Sequence, residues 1–266
     1  MSFASSTAPA LAVAGLTKRY GSRTAVDHLS VELPRGVVAG FVGPNGSGKT
    51  TTMGVLLGLI RPTAGTGTVL GEPIIDPSAY LHRVGALIET PACYPALTGR
   101  ENLRVFAIAG RHDTARIDEL LDVVGLTGRG DDRARTYSLG MKQRLGIAAA
   151  LLGDPELLIL DEPTNGLDPQ GVREMRALIG ALAGNGRTVL VSSHDLSELE
   201  QVCDWMLLID TGTVLYQGPT RDLVSAGRAA LLVAPHIRPT KLLCSTRGHL
   251  RFECSARRTT SNGIHP

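Results

Sequence analysis

Gly43-Pro-Asn-Gly-Ser-Gly48-Lys49-Thr50 is the stretch of sequence that decides the fold. It matches the pattern G-x-x-x-x-G-K-[ST], follows the apolar run 37–42 directly, and leads into a helical run at 50–60. Glycines let such a loop curl so that its backbone N–H groups point inward at phosphate oxygens, and the start of the following helix adds a favourable dipole. The sequence therefore predicts a phosphate-binding loop between a strand and a helix, and with it a bound nucleotide.

Two side chains of this loop carry most of its expected chemistry. Lys49 is expected to reach the β- and γ-phosphates, and the Thr50 hydroxyl is expected to coordinate Mg²⁺. An ordinary glycine turn is the alternative interpretation, and the strand before the loop and the helix after it argue against that alternative. The residues predicted to bind the nucleotide here are Gly43, Asn45, Gly46, Ser47, Gly48, Lys49, Thr50 and Thr51.

A second motif, Leu157-Leu-Ile-Leu-Asp161-Glu162, is an unbroken apolar run that ends in two carboxylates. The run is typical of a buried parallel strand, whose end would place Asp161 beside the phosphate-binding loop to hold Mg²⁺ through water. Glu162 is the candidate that polarises an attacking water. A strand followed by solvated charges is the alternative. His194 closes a later strand at 189–193, and a histidine there is either structural or catalytic.

Strands and helices alternate along most of the chain. Short apolar or alternating runs near the start predict β-structure, residues 75–153 are rich in helical patterns, and a hairpin is expected to turn at Thr211-Gly212. Thr98-Gly-Arg-Glu101 is a capping-box pattern that opens one of the helices. The predicted fold class is α/β, with a mostly parallel sheet core, an N-terminal antiparallel β portion and an inserted helical subdomain at about 75–153.

Composition narrows the class of protein further. The 266 residues are 43% hydrophobic and 20% charged, and the net charge of +2 is too balanced to indicate a nucleic-acid binder. No apolar run is long enough to span a bilayer, and residues 1–10 lack the features of a secretory signal. The four cysteines lack C-x-x-C spacing, so we expect reduced thiols in a cytoplasmic protein rather than disulfides or a zinc site.

The C-terminal segment differs from the rest of the chain. Regular patterns end near residue 228, and residues 236–266 have a net charge of +5 from six basic residues and one acidic residue. A disordered tail and a C-terminus replaced through a frameshift or truncation are both compatible with this pattern. We therefore predict an N-terminal extension at 1–8, a nucleotide-binding domain at 9–227 and an atypical basic tail at 228–266.

With these motifs in this order, residues 9–225 resemble the ATP-binding subunit of an ABC transporter. The resemblance rests on Tyr20 before the loop, on Tyr137-Ser138-Leu139-Gly140-Met141-Lys142-Gln143, on Asn165-Gly166-Leu167-Asp168, and on His194. It implies that Tyr20 stacks on adenine, although an exposed aromatic residue at a strand end is the alternative. It also implies that Ser138 and Gly140 contact the γ-phosphate of ATP bound to an opposing subunit. Asp168 would lie in the loop that crosses the dimer interface, and His194 would contact the γ-phosphate.

The chain departs from the family pattern in two places. The usual signature is L-S-G-G-Q, whereas this chain has Leu139 in place of the first glycine and Met141 in place of the glutamine. The retained Ser138 and Gly140 indicate that the function survives. Glu89 takes the place of the family's flexible-loop glutamine, where its carboxylate would supply an oxygen on the Mg²⁺ side. An ordinary loop acid is the alternative for Glu89.

The sequence around Glu89, together with the run 95–103, resembles the subfamily that exports bacitracin and lantibiotic-type peptides. This resemblance implies an ATPase that uses ATP and Mg²⁺, pairs with a second ATP-binding subunit as a homodimer, and serves a separate ABC-2-type permease. It also implies a peripheral position on the cytoplasmic face of the cell membrane, with no nucleic-acid partner. The alternatives are a soluble ABC ATPase without a transport role and a truncated subunit that does not hydrolyse ATP.

Overall fold

The computed structural model describes residues 8–184 and 186–225. The chain divides into two units, Met1–Thr220 and Arg221–Pro266, and of the second unit only residues 221–225, which are helical, are described. The predicted tail at 228–266 and all of the predicted extension except Ala8 lie outside the described residues. Within the described ranges, no helix is both long enough and apolar enough to cross a membrane.

The described residues form ten strands and seven α-helices. The strands are β1 (Leu11–Tyr20), β2 (Arg23–Leu33), β3 (Val38–Val42), β4 (Ala64–Val69), β5 (Glu72–Pro73), β6 (Val84–Leu87), β7 (Leu157–Leu160), β8 (Thr188–Ser193), β9 (Trp205–Asp210) and β10 (Thr213–Pro219). The helices are α1 (Lys49–Leu56), α2 (Gly99–Gly110), α3 (Ile117–Val123), α4 (Leu139–Ala150), α5 (Pro169–Ala183), α6 (Leu196–Leu199) and α7 (Thr220–Ser225).

The strands make two sheets. The first is antiparallel, in the order β2-β1-β4-β5, and the second has the order β10-β9-β3-β8-β7-β6. In the second sheet every neighbouring pair is parallel except β9 and β10, which form the predicted hairpin. Strands β3, β7 and β8 are buried at every residue, which explains the continuous apolar character of β3, β7 and the Val189–Val191 part of β8. The predicted α/β class, with its parallel core and N-terminal antiparallel portion, is confirmed.

One hydrophobic core joins the two sheets and α1. Leu16, Leu29 and Leu33 of the first sheet share it with Phe41 of β3 and Met53 of α1, and all five side chains are almost completely buried. Burial of each such side chain contributes roughly 1.5–3 kcal/mol. The core therefore fixes α1, and the loop before it, against both sheets.

Helices α2, α3 and α4 lie between β6 and β7 in the chain. The capping box predicted for α2 is confirmed, because the Thr98 side chain accepts from Glu101 N–H while the Glu101 carboxylate accepts from Thr98 N–H. Strand β6, inside the segment predicted to be helix-rich, was not expected from the sequence. It pairs with β7 and packs closely on α4, since a Cβ at Gly85 would lie 2.1 Å from the Ala150 carbonyl oxygen.

Candidate nucleotide-binding and hydrolysis site

The phosphate-binding loop connects the end of β3 to the start of α1. Gly46 and Gly48 have φ values of +80° and +104°, in the left-handed region that favours glycine. A Cβ at Gly48 would lie 2.5 Å from the Ala25 carbonyl oxygen, and a Cβ at Gly43 would lie 2.3 Å from the Ile209 carbonyl oxygen. The loop therefore needs glycine both for its conformation and for its close approach to β2 and β9.

Lys49 lies across the mouth of this loop. Its side chain is only 6% exposed, and Nζ donates to the carbonyl oxygens of Gly43 at 2.6 Å and Pro44 at 3.3 Å. The same Nζ lies 3.3 Å from Oε1 of Glu162. A buried ammonium needs such partners, and phosphate oxygens would satisfy it in the same way.

Asp161 follows β7 and brings the two motifs together. Its side chain is buried and accepts hydrogen bonds from Thr50 Oγ1 at 2.8 Å and from Ser192 Oγ at 2.5 Å. A hydroxyl and a carboxylate side by side are the hard oxygen donors that Mg²⁺ prefers. The sequence predicted Asp161 and Thr50 for this place, and the structure puts them in direct contact.

Glu162 has three polar contacts, one through its backbone and two through its carboxylate. Its N–H donates to Ser192 Oγ at 2.8 Å, Oε1 faces Lys49, and Oε2 lies 2.8 Å from Nδ1 of the half-exposed His194. The φ of +49° at Glu162 is uncommon for a residue other than glycine, and such conformations concentrate at functional sites. The structure therefore brings Glu162 next to Lys49 and His194 next to Glu162.

A cleft of about 380 Å³ opens above these groups. The predicted residues that line it are Asn45, Gly46, Gly48, Lys49, Thr50, Thr51, Glu162 and His194. Gly43 and Ser47 belong to the loop but do not line the cleft. Ser47 Oγ is buried without a hydrogen-bond partner among the described residues. Arg23, Ala25 and Asn165 also line the cleft and Ser192 lies beneath it, and the sequence analysis assigned none of the four a role in the site. The sequence offered one indication of Ser192, which is a polar residue near the end of an otherwise apolar strand.

Tyr20 lies at the end of β1 and does not line this cleft. Its ring is half-exposed, and Lys18 Nζ lies 4.9 Å from the ring centroid, within the range of a cation–π contact. The stacking of Tyr20 on adenine therefore stays a prediction.

The signature residues lie in a second cleft, of about 440 Å³. Ser138 caps α4, its Oγ accepting from Met141 N–H at 3.2 Å, and Asp168 caps α5, its Oδ1 accepting from Gly171 N–H at 2.7 Å. Ser138, Gly140 and Asp168 line this second cleft, which shares no lining residue with the first. Within one chain, the phosphate-binding loop and the signature residues thus line two separate clefts.

The two departures from the family pattern have distinct surroundings. Leu139 is partly exposed, and its Cδ2 lies 3.0 Å from where a Cβ of Gly166 would be, so it packs on the loop before Asp168. Glu89 is exposed and has a φ of +58°. Glu89 lies two residues after the end of β6. The last residue of that strand, Leu87, accepts a hydrogen bond from Asp161 N–H through its carbonyl oxygen, so β6 and β7 end side by side. Among the described residues, the Glu89 carboxylate has no hydrogen bond or ion pair.

A phosphate-binding loop between a buried strand and a helix, with Asp161 and Glu162 ending a strand of the same sheet, defines the class of P-loop nucleotide hydrolases. The family profile for ABC transporters matches residues 26–165, which is more than half of the chain. The chain therefore belongs to the ABC transporter family, as an ATP-binding and ATP-hydrolysing subunit, and the resemblance seen in the sequence is confirmed.

Similar proteins support this assignment. The bacitracin transport ATP-binding protein BcrA of Bacillus licheniformis is 49% identical over 219 residues, covering 81% of this chain and 72% of BcrA. The lantibiotic transport ATP-binding protein SrtF of Streptococcus pyogenes is 39% identical, covering 78% of this chain and 90% of SrtF. A solved ATP-binding subunit of an ABC transporter is 31% identical and superposes with a TM-score of 0.71, covering 81% of this chain and 92% of that one.

Proposed function

We propose that this chain binds and hydrolyses ATP to power a separately encoded ABC-2-type permease that exports an antimicrobial peptide or a drug. The convergence of Lys49, Glu162 and His194 on one cleft carries the hydrolytic part of this proposal. The names of BcrA and SrtF support the class of substrate. The chain would work as a peripheral protein on the cytoplasmic face of the cell membrane, with no nucleic-acid partner.

The predicted side chains at and beside the first cleft have separate tasks in hydrolysis. Lys49 would exchange its contacts with loop carbonyl oxygens for β- and γ-phosphate oxygens, while Thr50 and Asp161, and Glu89 from the adjacent strand end, would hold Mg²⁺. When bound, Mg²⁺ would supply positive charge that offsets the charge on the phosphates. Glu162 accepts a hydrogen bond from the attacking water and aligns it with the γ-phosphate. His194 fixes the Glu162 carboxylate and contacts the γ-phosphate.

The separation of the two clefts supports a head-to-tail dimer as the working form. Ser138 and Gly140 do not line the cleft that holds Lys49 in their own chain, so they would act on ATP bound to the opposing subunit. Asp168 would lie in the loop that crosses this interface, and Tyr20 would stack on the adenine. Binding of ATP would close the dimer and hydrolysis would reopen it, and the Glu89 loop would pass the movement to the permease.

A mixing experiment tests the dimer. Lys49→Ala removes the phosphate contact and Ser138→Arg blocks the signature cleft, so each variant alone is expected to lack ATPase activity. A mixed dimer keeps one complete site, made from Lys49 of one chain and Ser138 of the other, and is expected to regain activity. Failure of the mixture, with both variants folded and the wild type active, would contradict the shared site.

A resistance assay tests the transport role. The chain is expressed in a Bacillus licheniformis strain from which BcrA has been deleted, beside Glu162→Gln as the matched inactive control. Restored growth in bacitracin with the wild type, and none with Glu162→Gln, is the expected result. An active ATPase that restores no resistance would contradict bacitracin as a substrate while leaving the ATPase assignment intact.

A further inference from the structure

The turn between β9 and β10 touches the phosphate-binding loop through its backbone. The N–H of Gly212 donates to the Ser47 carbonyl oxygen at 2.9 Å, and the Gly212 carbonyl oxygen accepts from Asp27 N–H at 2.9 Å. Further along the hairpin, Glu32 N–H donates to Oε1 of Gln217 at 3.1 Å. The hairpin thus fastens the phosphate-binding loop to β2, although the three segments are far apart in sequence.

Only glycine fits at position 212. Its φ is +81°, and an added Cβ would lie 2.9 Å from Asp27 N, 3.0 Å from Val26 Cα and 3.1 Å from the Ala25 carbonyl oxygen. All three neighbours are backbone atoms of strand β2, so none can swing aside as a flexible side chain would. Any larger residue would push the turn away from β2 and lengthen the bond to Ser47.

This bond controls the orientation of one peptide group in the loop. In a trans peptide the C=O and N–H point in opposite directions, so the Ser47 carbonyl and the Gly48 N–H are oriented together. With Ser47 O held by Gly212, the Gly48 N–H points away from the turn, and Gly48 lines the nucleotide cleft. We propose that Gly212 is a positioning residue for ATP, which holds the Ser47–Gly48 peptide so that its N–H faces the phosphates.

The chain offers a matched pair of variants to test this. Gly212→Ala and Gly71→Ala both place alanine at a positive φ in a strand-connecting turn, but a Cβ at Gly71, where φ is +92°, meets nothing within 4 Å. Binding of a fluorescent ATP analogue to the full chain is expected to weaken about tenfold in Gly212→Ala, which corresponds to about 1.4 kcal/mol. In Gly71→Ala it is expected to stay within about twofold of the wild type.

Steady-state kinetics separate positioning from general damage. In Gly212→Ala the KM for ATP is expected to rise about tenfold while kcat stays within about twofold, because the Gly48 N–H that Gly212 orients serves phosphate binding. A KM equal to that of the wild type, a fall in kcat alone, or the same change in Gly71→Ala would overturn the proposal.

If Gly212→Ala does not fold, amide hydrogen exchange on the wild-type chain tests the positioning role of Gly212 instead. The Gly212 N–H is expected to exchange much more slowly than the Gly71 N–H, and the Gly48 N–H is expected to slow when the ATP analogue is added. Rapid exchange at Gly212, or a Gly48 N–H that is indifferent to nucleotide, would overturn the proposal.

Discussion

Nδ1 of His194 lies 2.8 Å from Oε2 of Glu162, while the other oxygen of that carboxylate faces Lys49 Nζ at 3.3 Å. Because a histidine and a lysine hold the two oxygens, the carboxylate is fixed at the mouth of the phosphate-binding loop. This geometry supports the proposed role of Glu162 in orienting a water for attack.

Replacing Glu162 with glutamine is expected to separate binding from hydrolysis. Glu162→Gln keeps the shape and loses the charge, so the chain should bind ATP normally while turnover falls by about a hundredfold or more. Equilibrium nucleotide binding and steady-state ATPase activity measure the two effects. Glu32→Gln, at an exposed position of β2, is the control and should change neither. Normal turnover in Glu162→Gln would remove Glu162 from the role of base.

Ser192 bonds to the Asp161 carboxylate and to the Glu162 backbone, and its loss is expected to cost stability. Its hydroxyl donates to Asp161 and accepts from Glu162 N–H, and the side chain is fully buried. Ser192→Ala leaves the buried Asp161 carboxylate and the partly buried Glu162 N–H without this partner, so the free energy of unfolding should fall by about 2 kcal/mol. Urea unfolding measures the change. Ser78→Ala, at an exposed serine bonded to Asp76, should cost less than about 0.5 kcal/mol. Equal effects of the two variants would contradict this role.

Glu156 is expected to make stability depend on pH. Hydrogen bonds from Arg83, at 2.6 and 2.9 Å, and from Arg35, at 2.8 Å, lower the pKa of Glu156 below its ordinary value of 4.5. The stabilisation is therefore complete above pH 4.5, where the unfolded chain has also released the proton. It is lost as the pH falls from there through the lowered pKa of the folded state.

Glu156→Gln should accordingly lower the free energy of unfolding by about 1 kcal/mol at neutral pH, and the difference from the wild type should shrink below pH 4.5. Urea unfolding across a pH series measures it. Glu119→Gln, at an exposed partner of Arg116, should have an effect of less than about 0.5 kcal/mol. A constant difference at all pH values would show that the charge of Glu156 is irrelevant.

Cys203 is expected to resist alkylation in the folded chain. Burial raises the pKa of its thiol to about 12, and a Cβ at Gly40 would lie 3.2 Å from Sγ, so the thiol is packed against β3. Since the thiolate is the reactive form, iodoacetamide should label half-buried Cys93 well before Cys203. Mass spectrometry of a variant with Cys244 and Cys254 replaced by serine measures both rates. Equal rates before unfolding would contradict the buried position.

Much of the site was predictable because its requirements are local. The glycines of the phosphate-binding loop meet conformational demands inside eight residues, and Asp161 and Glu162 follow directly from an apolar strand. Strand β6 was missed because the four residues Val84–Leu87 are too few to show a period, and what makes it a strand is its pairing with β7.

The sequence by itself determined the phosphate-binding loop, the carboxylates and the parallel core, since each follows from residue types at short spacing. Only the tertiary structure decided which distant groups meet: Ser192 with Asp161, His194 with Glu162, and Gly212 with Ser47. The strand order β9-β3-β8-β7 makes these contacts, because it sets the ends of four strands side by side. Strand order depends on long-range packing of the core, and periodicity along a single chain does not encode it.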